Sequence, residues 1–121
     1  LPGNGGTQRL TRLLGPSRAI DLLLTGRTFS VEQAHAWGLV AAVYDPAEAE
    51  ASVREYAEYF AAGPALATAA IKRCVHDGSQ RTLEDGLALE AQLIEELFRS
   101  RDAAEGLNAF VEKRPPAFVG A

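Results

Sequence analysis

Glycine and proline cut this 121-residue chain into short pieces, and that punctuation limits its fold more than any other feature. Breaks fall at Gly15-Pro16, Gly26, Gly38, Asp45-Pro46, Gly63-Pro64, Gly78 and Pro115-Pro116. Proline cannot continue a helix, and glycine closes one at no steric cost. Between the breaks, apolar residues recur three and four apart, the period of a helix with one buried face. Only Leu39-Val40-Ala41-Ala42-Val43-Tyr44 reads as a strand, and a sheet would need partner strands that are absent from this sequence. The predicted fold class is therefore mostly α, with at most one short strand at about residues 39–44.

The pieces carry their own start and stop signals. Leu10, Leu13 and Leu14 follow the loop Gly3-Asn4-Gly5-Gly6-Thr7 on one face of a first helix. Ser17 is placed to cap a second, Arg18 to Thr25. Ser30-Val31-Glu32-Gln33 is a capping box, in which serine and glutamine satisfy each other's orphan amides, and Gly38 ends the helix it opens. Pro46 to about Ala62 reads as a further helix with Val53, Tyr56, Ala57 and Phe60 in one stripe. Next come Ala65 to about His76, a turn at Asp77-Gly78-Ser79, and the longest helix, capped by Thr82 and running to about Arg99. Its predicted buried stripe is Leu83, Leu87, Ala91, Ile94 and Leu97 or Phe98. Ser100 caps the last helix, Arg101 to Lys113, and the tail Ala117 to Ala121 is extended. No repeat or low-complexity segment interrupts this series.

Composition then narrows the function. The chain is 47% hydrophobic and 23% charged, so it can bury a core and is not disordered. Its net charge of −4 opposes nucleic acid and anionic membrane as partners, because either needs a positive field. The longest apolar run, broken at Thr68 and ended by Lys72, is far short of the ~20 residues of a membrane span. One cysteine, Cys74, allows no internal disulfide, which fits a reducing, cytoplasmic setting. There is no methionine, and the chain opens Leu1-Pro2-Gly3 without a basic-then-apolar leader, so it is expected to be a segment of something longer.

Reactive chemistry is sparse. The Gly3-to-Thr7 loop reads as a tight entry to a helix or as a cradle of amides for an anion. It lacks the lysine of a phosphate-binding loop and the preceding strand of a dinucleotide fingerprint. His35 has no nucleophile nearby, and His76 suits the negative end of its helix dipole. Cys74 reads as a small packed residue. The acids lie at helix starts or on polar faces, without the burial that makes a carboxyl a proton donor, and no metal set is apparent. Lys113-Arg114 either compensate the last helix dipole or, with Phe110, hold a phosphate and stack a purine.

Three collinear segments resemble one family. Leu1-Pro2-Gly3-Asn4-Gly5-Gly6-Thr7-Gln8-Arg9-Leu10 resembles the P-G-x-G-G-T-Q-R-L segment of the enoyl-CoA hydratase/isomerase (crotonase) family. Leu24-Thr25-Gly26-Arg27 with Ala34-His35-Ala36-Trp37-Gly38-Leu39-Val40 is similar to its L-T-G and G-L-V stretch. Glu105-Gly106-Leu107-Asn108-Ala109-Phe110-Val111-Glu112-Lys113-Arg114-Pro115 is similar to its terminal motif. Asn4 departs from the alanine common in that glycine loop.

The resemblance implies that residues 1–121 are the C-terminal helical and oligomerisation region of a crotonase-like α/β fold, without the N-terminal catalytic ββα region. The implied parent is an acyl-CoA enzyme, an enoyl-CoA hydratase that adds water to a 2-enoyl thioester. The alternatives are an isomerase or other member of the family, or a non-catalytic helical oligomerisation module. By the same resemblance, the Gly3 backbone N–H holds the attacking water, an approach that a side chain would block. Phe110 and Lys113 contact the nucleotide end of coenzyme A, in the family often across a subunit interface, and would lie three residues apart on one helix face. The implied partners are an acyl-CoA substrate and further copies of the chain, as a trimer or dimer of trimers, with no prosthetic group. The family's oxyanion hole and both carboxylates lie upstream of the matching region, so the chain alone is predicted to be inactive.

Overall fold

The computed structural model describes residues 1–121 as seven helices without a strand, in two compact units, Leu1–Ala49 and Glu50–Ala121. No helix is long and apolar enough to cross a membrane.

In the first unit, α1 (Gly6–Leu14) packs against α2 (Pro16–Thr25). One residue serves both ends of the joint. Gly15, at φ 77°, donates its N–H to the Thr11 carbonyl to close α1, then acts as N-cap of α2, with Pro16 at the first helical position. Ser17 therefore lies inside the first turn and does not cap it, contrary to the sequence expectation. Ala19 and Leu22 are the buried residues of α2. The short α3 (Val31–Ala36) has the predicted capping box: Ser30 Oγ accepts from the Gln33 N–H at 3.2 Å, and Gln33 Oε1 accepts from the Ser30 N–H at 3.0 Å. Gly38, at φ 78°, ends it in a Schellman turn, with Leu39 N–H bonded to Ala34 C=O and Gly38 N–H to His35 C=O. Trp37 packs on Phe29 with ring centroids 5.2 Å apart, and Arg18 lies over its ring at 5.0 Å.

The one short strand that the sequence allowed at 39–44 does not form: these residues are bends and irregular backbone. No other segment of the chain is extended beside them to supply a ladder, so β-branched composition alone has nothing to pair with.

In the second unit, α4 (Ala49–Ala61) starts three residues later than predicted from Pro46. Asp45 spends those residues on a turn, its side chain accepting from Ala47 N–H at 2.8 Å and its carbonyl from Glu48 N–H at 3.0 Å. The α4 stripe of Val53, Tyr56 and Phe60 stays exposed, with Tyr56, Tyr59 and Phe60 stacked edge to face. Two antiparallel helices, α5 (Ala65–Gly78) and α6 (Leu83–Phe98), make the core of this unit. Here α5 runs through the turn expected at Asp77-Gly78, helped by an Arg73–Asp77 ion pair at 3.9 Å.

Gly78 and Gly86 let the two backbones approach at the closed end of the pair, where a Cβ on Gly78 would sit 3.8 Å from the Gly86 Cα. Further along, Ala70, Leu89 and Leu93 are buried together, with Cys74 and Leu97 packed on them. The buried stripe of α6 is thus Leu89, Leu93 and Leu97, while Leu83, Leu87, Ile94 and Phe98 face outward. Of the predicted stripe Leu97 is packed, while Leu83, Leu87, Ala91 and Ile94 are on the outward side. The helix carries leucine on both sides, so periodicity alone could not choose between them. Finally α7 (Arg101–Glu112) is capped by Ser100, whose Oγ accepts from Ala103 N–H at 3.0 Å, and it packs against α6.

Candidate functional site

The sequence singled out Gly3 in the first unit, and Phe110 with Lys113 in the second. The Gly3 loop is a paired left-handed turn. Asn4 and Gly5 have φ of 53° and 80°, and the Gly6 N–H bonds back to the Gly3 carbonyl at 3.1 Å. Asparagine is among the few side chains that visit this region readily, so the departure at Asn4 is sterically suited to its place. Arg9, one turn into α1, folds back and donates to the Asn4 carbonyl. The φ of Gly5 favours glycine, and a Cβ there would meet Arg9 Nη1 at 2.9 Å and displace the folded-back guanidinium. Around Gly3 nothing lies within 4 Å of an added Cβ, so the space beside this residue is open.

The end of α7 is more elaborate. Phe110 is 83% exposed, so it is not a core residue. Lys113 is not on the helix face with it: α7 stops at Glu112, and Lys113 sits beyond it at φ 55°, ψ 40°. The Lys113 N–H bonds to the Phe110 carbonyl and the Arg114 N–H to the Ala109 carbonyl at 3.0 Å. That is a Schellman turn with lysine where glycine is usual, and a non-glycine residue there costs about 1–2 kcal/mol. The predicted pairing of the two side chains on one helix face is therefore corrected. Phe110 belongs to the last turn of the helix, and Lys113 to the reversal that follows it.

Three acids of this end, Glu105, Glu112 and Asp102, were not read as functional from the sequence, and Arg114, read there with Lys113 as a phosphate ligand, is engaged by two of them. Arg114 meets Glu105 through both ends of its guanidinium, at 2.5 and 3.0 Å, and Glu112 through Nε at 2.6 Å. Glu105 Oε1 also accepts from the Ala117 N–H at 2.8 Å. Those donors, the Arg114 hydrogen bonds first and then the backbone amide, hold the Glu105 carboxyl down at about 2. One turn nearer the start of α7, the buried Asp102 accepts from Val119 and Gly120 N–H at 2.7 and 2.9 Å, and its own N–H bonds to the Ala121 carbonyl. The tail thus runs back along its own helix, with the Phe118 ring against Gly106. The signal in the sequence was Pro115-Pro116: a chain that cannot continue its helix must turn, and acids on that helix then meet its freed amides.

His35 and His76 are exposed, Cys74 is half-buried against the α5–α6 core, and no group of His, Cys, Asp and Glu is arranged to hold a metal ion.

Comparison with known proteins gives this arrangement a context. A probable enoyl-CoA hydratase of Mycobacterium bovis is 39% identical over 119 residues, covering 98% of this chain and 46% of that protein. The 1,2-epoxyphenylacetyl-CoA isomerase of Escherichia coli is 36% identical over 120 residues, 99% of this chain and 46% of its own length. Among solved structures, the enoyl-CoA hydratase of Bacillus anthracis superposes with a TM-score of 0.95 at 40% identity, over the whole of this chain and 47% of that one. The chain spans about half the length of the curated relatives it matches. The sequence model of the enoyl-CoA hydratase/isomerase family matches residues 1–121 throughout, and with that match, the shared helical fold and the three collinear motifs, the chain belongs to that family.

Proposed function

We propose that this chain is the C-terminal helical and subunit-contact region of an acyl-CoA enzyme, and that the reaction is hydration of a 2-enoyl-CoA thioester. Within it, Phe110 and Lys113 bind the nucleotide end of coenzyme A, and the Gly3 N–H holds the attacking water. The observation that carries this reading is the end of α7. An exposed aromatic ring and an ammonium without an ion-pair partner stand on either side of a reversal, while the neighbouring Arg114 is fully engaged by acids. The ring offers a face for adenine, and the ammonium a point charge for phosphate. Gly3 supports the second role because the space beside it is open, and without a side chain a small ligand can come close to its backbone.

The reaction needs a polarised thioester carbonyl, donors aimed at the enolate oxygen, and carboxylates to move the α-proton and the water. Asp21, Asp85, Asp102 and Glu105 are committed to ion pairs, a cap and the tail, and by the family resemblance the carboxylates come from another part of the enzyme. No prosthetic group enters this scheme; coenzyme A arrives with the substrate. The assembly is proposed to be a trimer or dimer of trimers in the cytoplasm.

The direct test is binding of the 3′-phospho-ADP portion of coenzyme A. Lys113→Ala is expected to weaken it about tenfold, the worth of one charge-assisted contact. Phe110→Ala is expected to cost about fivefold for a lost stacking face. Unchanged affinity in both variants would remove the reading. The isolated chain mixed with crotonyl-CoA is expected to leave the conjugated thioester absorbance at its background rate, and turnover above background would show that the reactive groups are here after all.

A second reading, a helical association module without catalysis, is favoured by the exposed apolar faces of α4 and α6. Nucleotide binding that depends on Lys113 decides against it.

A further inference from the structure

We infer that Glu105 and Arg114 are positioning residues for the Lys113 ammonium: their forked ion pair holds open the left-handed turn that presents it. The inference rests on the nucleotide-binding role proposed for Lys113.

Lys113 occupies a conformation that lysine disfavours, at φ 55°. Something must hold it there, because a free helix end would relax to an ordinary frayed turn. The residue that follows it supplies the hold. Arg114 is gripped by Glu105 at both nitrogens of its fork, at 2.5 and 3.0 Å, and by Glu112 at 2.6 Å. Glu105 lies nine residues back along the same chain, about two and a half turns down α7. The fork therefore pulls the backbone after Lys113 back over the helix. Glu105 also accepts the Ala117 N–H, which fixes the outgoing segment of the turn from its other side. A forked guanidinium on a carboxylate fixes direction as well as distance, which a single lysine contact does not. The arrangement also gives two neighbouring cations different roles. The arginine is consumed inside the turn, and the lysine remains without an acid partner.

The experiment measures affinity of the intact protein for 3′-phospho-ADP in five variants, with helix content checked for each. Lys113→Ala is the reference loss. Glu105→Gln is expected to weaken binding about fivefold, since apparent affinity falls with the fraction of molecules in the competent turn. The same substitution in a Lys113→Ala background is expected to add nothing. Arg114→Lys, which keeps the charge and loses the fork, is expected to follow Glu105→Gln and serves in its place if that variant fails to fold. Asp102→Asn loosens the far end of the tail without touching the fork, and is expected to bind as the parent does.

If Lys113→Ala weakens binding while Glu105→Gln and Arg114→Lys do not, the positioning role is overturned and the ligand role stands. Equal losses in Glu105→Gln and Asp102→Asn, or a further loss on the Lys113→Ala background, would also overturn it by showing general loosening of the tail. If Lys113→Ala binds normally, the ligand role falls first and this inference with it.

Discussion

Single residues at the end of α7 show how a short motif divides its labour. Glu112, Lys113 and Arg114 are adjacent in sequence, yet one forms the last helical residue, one the left-handed turn and one the ion pair that closes it. The Glu105 carboxyl sits at about 2, below its ordinary value of 4.5, because Arg114 and the Ala117 amide favour its charged form. A depressed carboxyl contributes stability that is fully present above its unfolded value and is lost as pH falls through its folded one. Stability of the parent relative to Glu105→Gln is therefore expected to be greatest above about pH 5. It should shrink steadily towards pH 2, and unfolding midpoints of the two proteins across that range check the sign. A difference that stays constant with pH would mean that the carboxylate is not held by these partners. None of this was visible in the motif, because Glu105 and Arg114 meet only after the chain has reversed.

At the scale of elements, the packing of α6 is the instructive case. Both faces of this helix carry large apolar residues, and the one that packs on α5 is Leu89, Leu93 and Leu97. The reason lies in the partner. Gly86 sits against Gly78 at the closed end of the pair, and that close approach sets the rotation of α6 for the rest of its length. Leu93→Ala, which empties a site only 4% exposed, is expected to destabilise the unit by about 2–5 kcal/mol. Leu87→Ala, on the face predicted from periodicity but exposed in the structure, is expected to change stability by less than about 0.5 kcal/mol. Urea unfolding at low protein concentration compares them, and a larger loss for Leu87→Ala would restore the sequence-based face. Helix ends were more legible than helix faces. The Ser30–Gln33 box, the Thr82 and Ser100 caps and the Gly38 stop all lie where the sequence placed them, because each depends on residues within one turn.

For the molecule as a whole, the apolar surface left open is the dominant fact. In the second unit, α4 exposes Val53, Tyr56, Tyr59 and Phe60, and α6 exposes Leu83, Leu87, Ile94 and Phe98. Large apolar side chains gathered on a helix face in this number favour burial against a partner. The chain on its own is therefore expected to associate, and light scattering at rising concentration should give a mass above the 12.9 kDa of one chain. A mass that stays at one chain up to high concentration would contradict this.

Legibility followed range. Helical class, the caps and the family motifs were readable in the sequence, because each rests on residues a few positions apart that interact whatever the rest of the chain does. The absence of the 39–44 strand, the face of α6 that is buried, the departure of Lys113 from the helix and the grip of Glu105 on Arg114 were settled only by the folded structure. Each depends on a partner brought close by another element or by a reversal of the chain, and local sequence carries no record of which partner arrives.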